Sequence, residues 1–235
     1  MQNNDFLLDG ERLDDLCLDG RFIISHKDKY CFTSDSVMLA NMVRANMVRA
    51  NSKSKVVDLC AGGGIISILI ALKTSCQKVI GVEIQEDMAN MATRSVAMNK
   101  LEDRVEILNA DVKNISDFIP SGYADIVVCN PPYYKTGSGE TRLSENIAIA
   151  RHEIKLTLEQ LIQSTCKILK FGGLFYLVHK AERMAEVITT LSQNNLIPKQ
   201  IYTISTNSTG IADTFIVVCK LGANHGVIVQ NIKHD

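Results

Sequence analysis

From Lys55 onward, short apolar runs alternate with longer stretches of helical composition. KVVDLC at 55–60 leads into GGGIISILIALKT, which opens on glycines and turns helical. KVIGVEI at 78–84 leads into QEDMANMATRSVAMNK, a helix rich in Ala and Met. RVEILNA (104–110), ADIVVC (124–129) and LFYLVHK (174–180) continue the strand series. DVKNISDFI reads as a short helix or loop. TLEQLIQSTCKILKFGG, with Thr157 as cap and Gly172 as stop, and AERMAEVITTLSQNN read as helices. Strands that are apolar along most of their length, separated by helices, belong to a mostly parallel sheet covered on both faces. The last two runs, IPKQIYTIST and DTFIVVCK, have no helix between them and suit an antiparallel hairpin at one edge.

The first 50 residues read as an N-terminal extension packed on a core domain spanning 51–222, with a tail at 223–235. Within the extension, FIIS at 22–25 is expected to pair with KYCF at 29–32 across HKDK. TSDSVMLANMVRANMVRA then offers Thr33, Ser34 and Asp35 as caps for a helix. NMVRA occurs twice, at 41–45 and 46–50; five residues advance a helix by about 500°, so the copies face different ways and lengthen the element without making a repeat array.

The chain has 235 residues, 46% hydrophobic and 22% charged, which suits one folded α/β domain. Its net charge of −1 provides no global positive field, so contact with nucleic acid would come from a local basic patch. The 7 cysteines are odd in number and include no CxxC pair. They read as small buried hydrophobes in a reducing compartment, neither a disulfide frame nor a metal site. MQNNDFLLDGERLDD has no basic n-region or apolar h-region, and no apolar run is long enough for a bilayer. A cytoplasmic location without membrane or metal partners is expected.

Ligands of parallel sheets bind at the carboxyl ends of the strands. The first strand here ends in DLCAGGGI, bringing Asp58 and the glycines 62–64; the second ends at Glu83, the third at Asp111, the fourth at Asn130. Glycine permits a tight turn and close approach of a ligand, and an acid at the second strand end can accept both hydroxyls of a ribose. One reading of the loop is a dinucleotide site, although Ser67 stands where the third glycine of that fingerprint belongs. Another is S-adenosylmethionine, which has no phosphate and needs only room and acids for ribose and adenine. A plain tight turn is the third.

The fourth strand ends in NPPYY. An exocyclic amine conjugated to a ring or carbonyl is a poor nucleophile because its lone pair is delocalised. Two acceptors on its protons pull the nitrogen toward sp³ and free that pair. The Asn130 side-chain oxygen and the Pro131 carbonyl are candidates, with Pro132 holding Pro131 extended so that its carbonyl points out of the strand. Tyr133 can stack on a planar substrate extruded into such a pocket. A rigid turn without chemistry is the alternative.

These residues resemble the class I S-adenosylmethionine-dependent methyltransferases: Asp58–Gly64 is similar to their first motif, Glu83 to the second, Asp111 to the third and NPPY at 130–133 to the fourth. With FTSDSVMLA before the glycine loop and ARHE at 150–153, the chain further resembles the bacterial tRNA1(Val) (adenine(37)-N6)-methyltransferase family from about Arg21 to Lys220. The resemblance implies a Rossmann-like, mostly parallel seven-stranded sheet, S-adenosyl-L-methionine as cofactor and tRNA as partner. It implies that Asp58, Ala61, Gly62 and Gly64 line the methionine side, that Glu83 holds the ribose, and that Asp111 accepts from the adenine amine with Ile84 and Val112 against the ring. Thr33, Ser34 and Asp35 would close the cofactor site, with Asn130 reaching it too. Asn130, Pro131, Pro132 and Tyr133 would handle the target amine. Cys60 stands where the family often has Gly.

On the RNA side, Tyr134 joins Tyr133 as a substrate contact, and Lys135, Arg142, Arg151 and His152 either meet phosphates flanking a flipped base or form a solvated loop. Lys220, His225, Lys233 and His234 belong to an RNA-contacting or frayed C-terminus. His179 reads as structural. Competing readings are methylation of a glutamine amide in a release factor, DNA adenine methylation, a nicotinamide-dependent oxidoreductase, and a non-catalytic RNA-binding protein with this fold.

Overall fold

In the computed structural model, which describes residues 3–29, 31–47, 53–133, 156–205 and 210–233, a β-hairpin of β1 (Glu11–Asp15) and β2 (Phe22–His26) comes first. The partner of FIIS therefore lies before it, not after it: Leu13 faces Ile24 and Asp15 faces Phe22 in antiparallel register. The reason is turn chemistry. Asp19 and Gly20 adopt left-handed φ values of 40° and 73°, supplying the reversal that HKDK lacks. Helix α1 (Ser34–Met47) starts from Thr33, whose carbonyl accepts from the Ser36 amide at 3.1 Å. It runs through the first NMVRA copy into the second.

The alternating region follows as β3 (Lys55–Leu59), α2 (Ile65–Lys73), β4 (Lys78–Glu83), α3 (Glu86–Met98) and β5 (Val105–Asn109). After a 3₁₀ segment (Val112–Asp117) come β6 (Ala124–Cys129), α4 (Leu158–Ile168), β7 (Leu169–Lys180) and α5 (Met184–Gln193). Strands β8 (Leu196–Ser205), β9 (Thr214–Leu221) and β10 (Ile228–Lys233) complete it. The sheet order is β10-β8-β9-β7-β6-β3-β4-β5. Pairing is parallel from β5 through β7, and β9 inserts antiparallel between β7 and β8.

The sheet has eight strands, one more than expected, because VIVQNI near the C-terminus supplies β10, paired parallel with β8. The antiparallel hairpin is present, but β10 covers its outer edge. Thr157 caps α4 with a full capping box to Gln160. The helix stops at Ile168 rather than at Gly172, since Leu169 is already extended. Gly172, at φ 76°, sits inside β7 where its pairing with β6 slips between Ala124 and Ile126.

Alternate residues of the central strands feed opposite faces. Val57, Val127, Phe175 and Leu177 pack with α4 and α5, while Val56, Val128, Tyr176 and Val178 pack with α1 and α2. The hairpin docks on α3: Ile24 packs on Met88 and Met91, its amide donates to Ser95 Oγ at 3.0 Å, and Arg94 grips the Glu11 carboxylate with two bonds of 2.6 Å. Among the described residues no helix is long and apolar enough to cross a membrane.

Candidate active site

The parallel strands end on one rim, and their acids are each held by backbone donors nearby. Asp58, without exposed surface, accepts from the Ser67 amide (3.0 Å) and hydroxyl (2.7 Å) at Oδ2. Its Oδ1 is buried with no partner. Burial pushes this carboxyl up to about 7, with the Glu83 charge adding to the rise and Ser67 pulling against it. Glu83, 5% exposed, accepts from the Gln85 amide (2.9 Å) and the Gly62 amide (2.8 Å), and burial raises its pKa also. Asp111 caps the 3₁₀ segment by accepting from the Lys113 amide at 2.9 Å.

The glycine loop makes this packing feasible. Cys60, Gly62 and Gly64 are left-handed, with φ of 60°, 54° and 85°. Cys60 thus stands in a conformation that glycine adopts freely, whereas a side chain there costs about 1–2 kcal/mol. On β4, Gly81 is required for another reason: a Cβ would lie 2.9 Å from Ser67 Oγ and 2.8 Å from Ile107 Cδ1.

An open cleft runs along the rim. Ala61, Gly62, Glu83, Ile84, Asp111 and Val112 form one end, and Ser36, Asn130 and Pro132 the other. Asp58 and Gly64 stand behind the loop and do not line it, nor do Thr33, Ser34, Asp35, Pro131 or Tyr133. Gln85 lines the cleft as well, and its Oε1 is buried with no partner. A carboxylate and an unsatisfied amide oxygen at one end suit a vicinal diol, whose hydroxyls donate. The described lining contains Glu83 and Asp111 but no Lys or Arg, which argues against a pyrophosphate there. The residues present therefore fit S-adenosylmethionine.

At the other end, Asn130 Nδ2 donates to Ser36 Oγ at 2.8 Å, and Ser36 is buried. The Tyr133 hydroxyl donates to Asn130 Oδ1 and lies 3.3 Å from Asp35 Oδ2. Its ring packs against His179 with centroids 5.4 Å apart, the Lys180 ammonium lies 5.3 Å from the ring centroid, and its carbonyl accepts from Arg183 at 2.8 Å. His179 is fully buried; its Nδ1 accepts from the Lys180 amide, its Nε2 has no partner, and burial lowers its pKa to about 4. Pro131, Pro132 and His179 share a small pocket with Leu158 and Leu161.

Asp35, Asn130 and Tyr133 are thus brought together. Tyr134, Lys135, Arg142, Arg151 and His152 lie outside the described residues. Sequence reasoning missed Ser36, Ser67 and Asn109; the last donates to the Glu83 and Ile84 carbonyls at 2.9 and 3.1 Å and pins the turn beneath the cleft. Ser67 carried a signal only as a missing glycine, whereas it is the partner of Asp58.

A tRNA1(Val) (adenine(37)-N6)-methyltransferase of Pseudoalteromonas atlantica is 28% identical over 163 residues, covering 67% of this chain and 62% of the relative. The namesake of Bacteroides thetaiotaomicron is 24% identical, covering 76% and 73%. The chain spans about three fifths of the length of the first such relatives. Among solved structures, a predicted O-methyltransferase of Agrobacterium tumefaciens superposes with a TM-score of 0.65 at 22% identity over 84% of this chain and 85% of that one. Pyrococcus horikoshii TYW2 in complex with MeSAdo gives 0.63 at 18% identity, over 92% and 73%. The methyltransferase small domain profile matches residues 25–200, and the chain belongs to that family.

Proposed function

We propose that the protein is an S-adenosylmethionine-dependent methyltransferase that methylates N6 of an adenine in tRNA, at position 37 of tRNA1(Val). The observation that carries this reading is the Asn130–Tyr133 turn at the end of β6, opening onto the same cleft as Glu83 and Asp111. The names of the relatives favour adenine in tRNA as the amine. A tRNA substrate puts the enzyme in the cytoplasm.

The cofactor supplies an electrophilic methyl group on a sulfonium. Glu83 and Gln85 would hold its ribose, Asp111 its adenine amine, and Ile84 and Val112 its adenine ring. Asn130 Oδ1 and the Pro131 carbonyl accept from the target NH₂ and localise its lone pair. Tyr133 leaves the Asn130 oxygen to stack on the incoming base. Lys135, Arg142, Arg151 and His152, outside the described residues, are the candidates for contact with flanking phosphates.

The test is incubation with labelled S-adenosylmethionine and tRNA from cells lacking the enzyme, read by nucleoside mass spectrometry. N6-methyladenosine at position 37 is expected. Label in protein, with none in tRNA, overturns the reading in favour of a glutamine amide.

A further inference from the structure

We propose that Asp35, on the first turn of α1, is a catalytic residue: it shares one N–H of the target amine with the Pro131 carbonyl and takes the surplus proton. This deepens the function proposed above and rests on it. The Tyr133 hydroxyl has Asn130 Oδ1 and, at 3.3 Å, Asp35 Oδ2 beside it. Two acceptors from distant parts of the chain converge on one donor, the arrangement an NH₂ requires. The hydroxyl therefore marks the place of the target nitrogen in the resting enzyme, and the ring swings away when the base enters. The same helical turn holds Asn130 in place, because buried Ser36 accepts from its Nδ2 at 2.8 Å. In the resting enzyme Ser36 lines the cleft, whereas Asp35 lies behind the Tyr133 hydroxyl and meets the amine once that ring has moved.

The nitrogen lone pair forms the bond to the methyl carbon, the sulfur keeps the pair of the broken C–S bond, and the nitrogen gains positive charge. One N–H proton then leaves to Asp35 Oδ2, restoring a neutral amine. An amide in place of the carboxylate accepts a hydrogen bond but takes no proton, and it can also donate.

The experiment uses Asp35→Asn, Tyr133→Phe and the double variant, with an anticodon stem-loop RNA carrying adenosine or inosine at position 37. Inosine replaces the NH₂ by a carbonyl, which two acceptors reject. The wild type is expected to bind the adenosine RNA in clear preference. Asp35→Asn is expected to lower kcat about 100-fold, to keep cofactor affinity within about two-fold, and to shrink the adenosine preference because its amide donates to the carbonyl. Both effects persist in the Tyr133→Phe background if Asp35 acts on substrate; if Asp35 only holds Tyr133, they vanish there. That loss, an Asp35→Asn variant with wild-type kcat and preference, or a wild type indifferent to adenosine and inosine overturns the inference. A wild type that ignores the RNA yet binds free adenosine over inosine overturns the tRNA reading and leaves the clamp standing.

Discussion

Asp58→Asn tests whether the acid behind the glycine loop is held at the expense of the fold. The carboxyl is wholly buried, one oxygen holds Ser67, and the other has no partner. The rise of its pKa from 3.8 to about 7 corresponds to about 4 kcal/mol of stability lost above neutral pH. The folded state binds this proton more tightly than the unfolded chain does. The loss is therefore complete above about 7, shrinks as pH falls, and is gone below 3.8. The asparagine escapes it but buries an NH₂ without an acceptor, at about 1–3 kcal/mol. A net gain of about 2 kcal/mol above neutral pH is expected, turning to a net loss as pH falls toward 4. His179 titrates with the opposite sign in the same window. Its pKa is lowered from 6.5 to about 4, so its contribution is present above 6.5 and is lost as pH falls toward 4. The two effects offset each other in the wild-type curve, and only the difference between variant and wild type isolates Asp58. Urea denaturation of both proteins from mildly acidic to mildly alkaline pH provides it. Parallel stability curves would refute the reasoning.

Asn130→Ala is expected to lower methyl transfer about 100-fold while cofactor affinity, measured by calorimetry, changes little. Gly81→Ala drives a methyl against Ile107 and Ser67, at 2.8 and 2.9 Å, and is expected to cost about 1–3 kcal/mol in thermal denaturation. Arg94→Met leaves the Glu11 carboxylate of the N-terminal hairpin with the Leu8 amide but without its guanidinium; a loss of about 2 kcal/mol, with faster amide exchange in β1 and β2, is expected.

The central sheet was legible because its strands are buried on both faces. Val56, Val57 and Leu59 have no exposed surface, so such a strand reads as an apolar run, interrupted here only by Asp58. The rim followed from it, since each run ends at the acid or amide that reaches the cleft. What stayed hidden was set by tertiary packing. ERLDD has no apolar alternation, and it is a strand because an Asp-Gly turn folds it onto FIIS and α3 covers the pair. VIVQNI is a strand only because β8 presents an open edge. Ser67 reaches Asp58 because Gly81, on a neighbouring strand, leaves its hydroxyl space. Asp35 looked like a helix cap, and helix caps are common, while Ser36 carried no signal of its own; their partners Tyr133 and Asn130 lie far along the chain.

Two buried carboxylates with raised pKa values flank the glycine loop, and the Glu83 charge disfavours charge on Asp58. A cation entering the cleft reverses that effect, because it favours the charged form of both groups. S-adenosylmethionine carries a sulfonium charge that its demethylated product, S-adenosylhomocysteine, lacks. Binding of the cofactor should therefore drive protons off Asp58 near neutral pH, where this group is only partly ionised, while binding of the product should drive off fewer. By linkage, affinity for the cofactor rises with pH through that range more steeply than affinity for the product. Calorimetric titrations in buffers of differing ionisation enthalpy read the proton count directly. Asp58→Asn should remove most of the difference between the two ligands. Equal proton release by both, or a difference that survives in Asp58→Asn, would mean that Asp58 does not sense charge in the cleft. Its burial would then serve the glycine loop alone. A positive result would explain why a destabilising acid sits behind that loop: the stability lost above neutral pH returns as preference for the charged cofactor over the uncharged product.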